Sequence, residues 1–133
     1  MTQQTPPCIL VVDDQENWRE ALTDLLLDEG FCVAIAASFE AALQELEKAR
    51  FAVVVLDVRL KDNDIFNVQG VELLKVIKSQ PNAPKVIMLT GYPESVRDGI
   101  LDLYQADALI LKVPRQASFD PTAFIEQIHS WID

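Results

Sequence analysis

Acidic residues stand at the ends of two short apolar segments of the chain. Residues 8–12 (CILVV) are followed directly by Asp13 and Asp14, and residues 52–56 (AVVVL) are followed by Asp57. Carboxylates gathered in one place repel one another unless a cation neutralises them. A set of oxygen ligands without Cys or His suits Mg²⁺. These residue types therefore predict a magnesium site, provided that the fold brings the two segments together.

Two further apolar segments end in groups suited to contact phosphate. Residues 85–89 (KVIML) lead into Thr90, and residues 108–111 (ALIL) lead into Lys112. A metal ion, an ammonium group and a hydroxyl can share the charge of a phosphoryl group while a carboxylate acts as nucleophile. Taken alone, each of these residues is more simply a helix cap, a turn or a solvated side chain. Together they indicate phosphoryl chemistry, with Asp57 as the nucleophile.

The elements that must position these groups alternate between strand and helix. Short apolar runs bounded by polar residues predict strands, and apolar residues at helical spacing predict helices. The predicted strands are 8–12, 31–36, 52–56, 85–89 and 108–111, and the predicted helices are 15–29, one that Ser38 caps, 70–79, 94–104 and one that begins after Asp120. This (βα)5 order predicts a five-stranded parallel sheet, doubly wound, with helices on both faces. Ligands of such sheets bind at the carboxyl ends of the strands, where the acidic residues stand.

Composition limits the classes of partner. The chain has 133 residues, of which 11 are Lys or Arg and 21 are Asp or Glu, for a net charge of −10. This length predicts one domain, and the acidity disfavours direct binding to nucleic acid or to a membrane surface. We expect a cytoplasmic protein because no targeting or membrane-spanning segment is evident. In that compartment Cys8 and Cys32 would be reduced and would serve as small apolar residues, with a disulfide or redox role as the less favoured alternative.

Four segments carry a resemblance to a known family: ILVVDD at 9–14, VVLDVRL at 54–60, MLTG at 88–91 and ILK at 110–112. Across essentially its whole length the chain resembles the receiver (REC) domain of two-component response regulators. The resemblance implies a flavodoxin/CheY-like fold with strand order 2-1-3-4-5. Residues 8–133 would then form the receiver domain, preceded by a tail at 1–7.

The resemblance also implies a role for each acidic residue. Asp57 matches the aspartate that accepts the phosphoryl group. Asp13 and Asp14 match the acidic pair that holds Mg²⁺ together with Asp57, and Arg59 stands where the family supplies a backbone carbonyl to the metal. The phosphoryl donor would be a histidine of a partner kinase. The sole histidine of this chain, His129, falls in the last predicted helix and is expected to lie away from this site.

Thr90 and Lys112 match the hydroxyl and the ammonium group that contact the phosphoryl group, and near them the chain departs from the family pattern. The position three residues before the lysine is commonly Tyr or Phe, and here it is Leu109. Lysine is usually followed by a cis proline, whereas this chain reads Lys112-Val113-Pro114, for which we expect a trans Lys112–Val113 bond. The segment 57–70 is longer than usual, and its part 61–69 is interpreted as a solvated loop that tunes kinase docking or the lifetime of the phosphoryl group.

These residues predict a phospho-accepting receiver, which is not a turnover enzyme on a separate substrate. Its expected partners are a histidine kinase or phosphotransfer protein, an output domain or effector protein, and a second copy in a homodimer. One alternative is a phosphate-independent receiver that acts as a protein-interaction module. Another is a magnesium-dependent phosphatase, which is disfavoured because Arg59 occupies the position where such enzymes carry a second acid.

Overall fold

The computed structural model describes residues 6–57, 69–90, 106–111 and 120–132. Short apolar runs form its strands, and segments with apolar residues at helical spacing form its helices. The strands are β1 (Cys8–Val12), β2 (Cys32–Ala36), β3 (Val53–Asp57), β4 (Lys85–Thr90) and β5 (Ala108–Leu111), and the helices are α1 (Glu16–Asp28), α2 (Phe39–Lys48), α3 (Gln69–Lys78) and α4 (Pro121–Ile132). The predicted helix at 94–104 and the loop at 61–68 lie outside the described residues.

The strands pair in parallel in the order β2-β1-β3-β4-β5. Both β1 and β3 are nearly continuous apolar runs, as expected for strands that are covered on both faces. All five residues of β3 are buried. This central strand therefore presents its last residue, Asp57, at the middle of one edge of the sheet.

Helices cover both faces of this sheet. Alternate residues of β1 and β3 point to opposite faces, and each set joins a separate core cluster. On one face lie Leu10, Val12, Val54 and Leu56 with Ala42 of α2 and Leu73, Leu74 and Ile77 of α3. On the other lie Ile9, Val11, Val53 and Val55 with Leu22 and Leu26 of α1 and Phe124, Ile125 and Ile128 of α4. The predicted α/β architecture with a parallel sheet is confirmed.

Local sequence sets the ends of several helices. Gly30 follows α1 with a φ of 89°, a conformation that glycine adopts readily, and its N–H donates to the carbonyl of Leu27. Ser38 caps α2, since its Oγ accepts from the backbone N–H of Ala41 at 3.1 Å. Before α4, an Asp120 carboxylate oxygen accepts from the backbone N–H groups of Thr122 and Ala123. The cap at Ser38 and the start of a helix after Asp120 are those that the sequence predicts.

The amino ends of β1 and β2 correct the expectation for the cysteines. The structure joins Cys8 and Cys32 by a disulfide, in place of the two reduced thiols expected from the sequence. The two residues are direct partners in the β1–β2 register, with their Cα atoms 4.3 Å apart. Side chains of adjacent parallel strands at the same register point to the same face, so the two sulfurs meet. The disulfide depends on this strand register, which cannot be inferred from the positions of the two cysteines in the sequence.

His129 lies near this same end of the sheet, in the last turn of α4. Its Nε2 is 3.1 Å from a carboxylate oxygen of Glu29, and its ring packs on Phe31 with a centroid distance of 5.3 Å. Both contacted residues come shortly before β2, at the amino end of that strand. The histidine therefore lies away from the carboxyl ends of β1 and β3, which carry the acidic residues, as predicted. Within the described segments, no helix has the length and apolarity needed to span a membrane.

Candidate metal and phosphoryl site

Two neighbouring strands place three carboxylates side by side. In the β1–β3 register Val12 pairs with Leu56, so the next residues, Asp13 and Asp57, leave adjacent parallel strands at the same edge. Carboxylate oxygens of Asp13, Asp14 and Asp57 all lie within 4.8 Å of one another. The sequence predicted this cluster from the ends of two apolar runs, and the parallel pairing explains why those ends meet.

The cluster is largely shielded from water. Asp13 is fully buried and Asp57 is 2% exposed, while Asp14 is half-buried. Burying one carboxylate is unfavourable, and three that lie this close also repel one another. A cation would relieve both effects, which makes the cluster a candidate cation site.

The donors fit a hard divalent cation. All three side chains offer oxygen atoms, and Mg²⁺ typically takes one or two carboxylates together with water and phosphate oxygens. The donor set therefore suits Mg²⁺. Because the ion needs only one or two of the three carboxylates, an oxygen of the third is available to act as a nucleophile.

Hydrogen bonds to neighbouring described residues hold Asp13 in place. Its backbone N–H donates to the carbonyl of Ala36 at 3.1 Å, which ties the end of β1 to the end of β2. Its Oδ1 accepts from the backbone N–H of Gln15 at 2.9 Å. Its carbonyl accepts from Nη1 of Arg19 at 2.9 Å. The sequence did not predict Arg19 as part of this site, because the bond depends on how the chain turns between β1 and α1.

The structure describes the other predicted site residues only in part. Thr90 ends β4, directly after Leu89, which pairs with Asp57. Its backbone is therefore next to the acidic cluster along the same edge. Leu109 lies within β5 and pairs with Met88. Arg59 and Lys112 lie outside the described residues.

Comparison with known proteins identifies the family. The model of the response regulator receiver domain matches residues 9–115. Among curated relatives, the response regulator protein FleR of Pseudomonas aeruginosa is 34% identical over 120 residues, which cover 82% of this chain and 24% of that protein. The transcriptional regulatory protein FixJ of Bradyrhizobium diazoefficiens is 36% identical over 84 residues, covering 63% of this chain and 38% of FixJ. The chain thus spans well under two thirds of either relative.

Solved structures agree in fold. A CheY-like receiver domain protein from Methanospirillum hungatei is 29% identical with a TM-score of 0.78, over 94% of this chain and 92% of that one. The response regulator TrrA of Thermotoga maritima, solved in complex with Mg²⁺ and beryllofluoride, is 28% identical with a TM-score of 0.75, over 94% of this chain and 98% of that one. With the family model matching most of its length, this chain belongs to the response regulator receiver domains.

Proposed function

We propose that this receiver domain accepts a phosphoryl group on the carboxylate of Asp57 and signals by the conformational change that follows. The observation that carries the proposal is the clustering of Asp13, Asp14 and Asp57 at the ends of adjacent buried strands. Asp57 is the best candidate for the nucleophile because it ends the central strand, between β1 and β4. Family membership supports the same assignment.

In the proposed reaction an oxygen of the Asp57 carboxylate attacks the phosphorus of a phosphohistidine on a partner protein. The bond from phosphorus to the imidazole nitrogen breaks, the imidazole leaves, and the product is an acyl phosphate. Water later hydrolyses this anhydride and returns the free carboxylate with inorganic phosphate. The chain supplies the nucleophile and its position, and the partner supplies the histidine.

We propose Mg²⁺ as the cofactor, held by Asp13, Asp14 and Asp57 with the backbone carbonyl of Arg59. When bound, Mg²⁺ supplies positive charge that offsets the negative charge of the phosphoryl oxygens. The protein's own contribution is to hold three oxygen donors together before the phosphoryl group arrives. The relative solved with Mg²⁺ and beryllofluoride is consistent with this assignment.

Thr90 and Lys112 are proposed to contact the phosphoryl group from the neighbouring strands. The β3–β4 register supports this role for Thr90, because Leu89, the residue directly before it, pairs with Asp57. With Leu109 in place of the aromatic residue common in the family, the switch would act without a ring three residues before Lys112. We further propose that residues 8–133 form a (βα)5 receiver domain, with an additional helix at 94–104 between β4 and β5, and that residues 1–7 form a tail.

The proposed partners follow from this chemistry. A histidine kinase or phosphotransfer protein would deliver the phosphoryl group in the cytoplasm. An output domain, an effector protein or a second copy would then respond. The relatives FleR and FixJ are much longer than the segment they share with this chain, which supports an output carried elsewhere in the polypeptide or on another protein.

The test is phosphorylation by a small-molecule donor. With acetyl phosphate and Mg²⁺, we expect intact-protein mass spectrometry to show a gain of one phosphoryl group on the wild type. The Asp57→Asn variant should gain none, because its amide is not a nucleophile, whereas a control Asp28→Asn variant on the exposed face of α1 should behave as wild type. EDTA should abolish the gain. A wild type that gains no phosphoryl group, or an Asp57→Asn variant that still does, would contradict the proposal.

Beryllofluoride separates this function from that of a phosphate-independent interaction module. With Mg²⁺, this phosphoryl mimic should bind the wild type and shift the backbone amide NMR signals of Asp57 and Thr90. Asp57→Asn should show no such shift. If the wild type also shows none, the interaction module becomes the better description.

A further inference from the structure

The peptide that links Asp13 to Asp14 is held by a charged side chain. Nη1 of Arg19 donates to the carbonyl of Asp13 at 2.9 Å. Arg19 lies one turn into α1, and this bond therefore connects the helix with the end of β1. Its donor is a side chain, whereas Ala36 and Gln15 contact Asp13 through their backbone atoms. A bond from an ionised donor is shorter and stronger than a neutral one.

This carbonyl has particular importance for the acidic cluster. It belongs to the planar peptide unit that runs from Asp13 to the Cα of Asp14. Fixing the carbonyl therefore fixes the direction in which the chain enters Asp14. The N–H and carboxylate of Asp13 are fixed independently, by Ala36 and Gln15. Together these bonds hold the Asp13–Asp14 peptide at the end of β1, next to β3 and Asp57.

We propose that Arg19 is a positioning residue of the cation site, which acts by holding the Asp13–Asp14 peptide in the orientation that lets both carboxylates reach one ion. The inference rests on the function proposed above and deepens it by adding a residue outside the ligand set. The guanidinium is well suited to this task, because it is planar and permanently charged.

Arg19 has two opposite effects on cation binding. Its positive charge disfavours a second cation nearby, whereas its hydrogen bond favours binding by arranging the ligands. High salt distinguishes the charge effect from the hydrogen-bond effect. At about 1 M ionic strength the screening length is only about 3 Å, so the repulsion between Arg19 and the cation is weakened while the hydrogen bond persists. Loss of a group that orients metal ligands typically weakens metal binding about 10- to 100-fold. At high salt the positioning effect should therefore dominate.

The experiment compares Mg²⁺ binding by the wild type and Arg19→Met, a variant that keeps an unbranched side chain but has no donor. In isothermal titration at about 1 M NaCl, we expect the Kd for Mg²⁺ to rise about 10-fold or more. Arg50→Met, which removes an exposed Arg between α2 and β3, is the matched control and should leave the Kd unchanged. Phosphorylation by acetyl phosphate should need more Mg²⁺ for half-saturation, with its rate at saturating Mg²⁺ near that of the wild type.

A purely structural role would lower stability without changing the Kd of the folded protein. An Arg19→Met variant that binds Mg²⁺ as tightly as the wild type at about 1 M NaCl would overturn the inference and leave the proposed function intact. If the wild type itself neither binds Mg²⁺ nor accepts a phosphoryl group, the proposed function fails as well. Should Arg19→Met not fold, Arg19→Gln gives the same comparison, because its amide is too short to replace the guanidinium.

Discussion

Asp57 combines burial with the closeness of two like charges. It is 2% exposed, and its carboxylate lies within 4.8 Å of those of Asp13 and Asp14. This arrangement is unfavourable for the protein without a cation and favourable once a cation binds. The same residues that make the site reactive should therefore lower the stability of the metal-free domain.

The Asp57→Asn substitution tests this cost. In buffer with EDTA, we expect it to raise the free energy of unfolding by about 1–3 kcal/mol, the size of one repulsion between like charges in a partly screened site. Urea denaturation followed by circular dichroism would measure the change. Glu126→Gln removes a charge from the exposed face of α4 and should change stability by less than about 0.5 kcal/mol.

Adding Mg²⁺ should reverse the order of the two proteins. The wild type gains stability because the ion binds the folded state, whereas Asp57→Asn has lost one ligand and gains less. Wild type and variant that respond equally to Mg²⁺, or a variant less stable than the wild type in EDTA, would show that the three carboxylates do not form one site.

Residue types at the ends of apolar runs were enough to predict the acidic cluster, but not its supporting contacts. Asp13, Asp14 and Asp57 follow runs that the eye can find in the sequence. The bond from Arg19 to the Asp13 carbonyl depends on the turn between β1 and α1, and the Cys8–Cys32 disulfide depends on a strand register. Both are properties of the folded backbone, which no short-range pattern encodes.

At the scale of elements, one carboxylate joins α3, β4 and β5. Oδ2 of Asp107, directly before β5, accepts from Lys78 Nζ at 2.7 Å and from the backbone N–H of Val86 at 2.8 Å. Lys78 Nζ also donates to the carbonyl of Pro84 at 2.9 Å. Both charged side chains are mostly buried. The start of β5 is therefore fixed to its neighbours by side-chain bonds as well as by the sheet.

Removing this carboxylate should be costly. We expect Asp107→Ala to lower the free energy of unfolding by about 2–3 kcal/mol, because it removes the acceptor of the Val86 N–H and the anionic partner of the mostly buried Lys78 ammonium group, which keeps the Pro84 carbonyl. Asp107→Asn keeps an acceptor and should lose less. Urea denaturation of the three proteins measures the series. Equal stability of Asp107→Ala and the wild type would mean that water replaces the carboxylate without loss.

The predicted strands and helices agree with the structure to within a residue or two where it describes them. The differences have a physical cause at β3 and β4. The apolar runs end at Leu56 and Leu89, but the ladder continues one residue further, since Asp57 pairs with Leu89 and Thr90 with Leu111. The first polar residue after an apolar run indicates where the buried side chains end. The end of the strand depends instead on how far the backbone of the adjacent strand continues beside it. Asp57 and Thr90 therefore belong to the strands themselves, whereas Asp13 and Asp14 follow β1.

At the scale of the molecule, the two ends of the sheet differ in chemistry. The carboxyl ends of β1 and β3 carry the acidic cluster, and the amino ends of β1 and β2 carry the disulfide. The bond between Cys8 and Cys32 closes a loop with a sequence separation of 24. The disulfide and Asp13 lie at opposite ends of β1. We therefore expect reduction of the disulfide to lower the stability of the domain while changing its phosphorylation little.

We expect a reducing agent to lower the free energy of unfolding by about 3 kcal/mol, the chain-entropy effect of a loop of this length. The comparison is urea denaturation with and without TCEP, and Cys8→Ser with Cys32→Ser should match the reduced wild type. Labelling by acetyl phosphate should be unchanged. Two thiols that react with iodoacetamide in urea without any reductant would show that the bond is absent.

The two outer strands of the sheet are secured in different ways. The strand β2 is linked covalently to β1 through Cys32, whereas β5, within the described part of the chain, pairs with β4 and is fixed by Asp107 directly before its first residue. The bonds of Asp107 hold the amino end of β5. At the carboxyl end of the strand, Leu111 pairs with Thr90. We therefore expect the sheet to deform more easily along the carboxyl end of β5 than at its centre, close to the site where a phosphoryl group would be added.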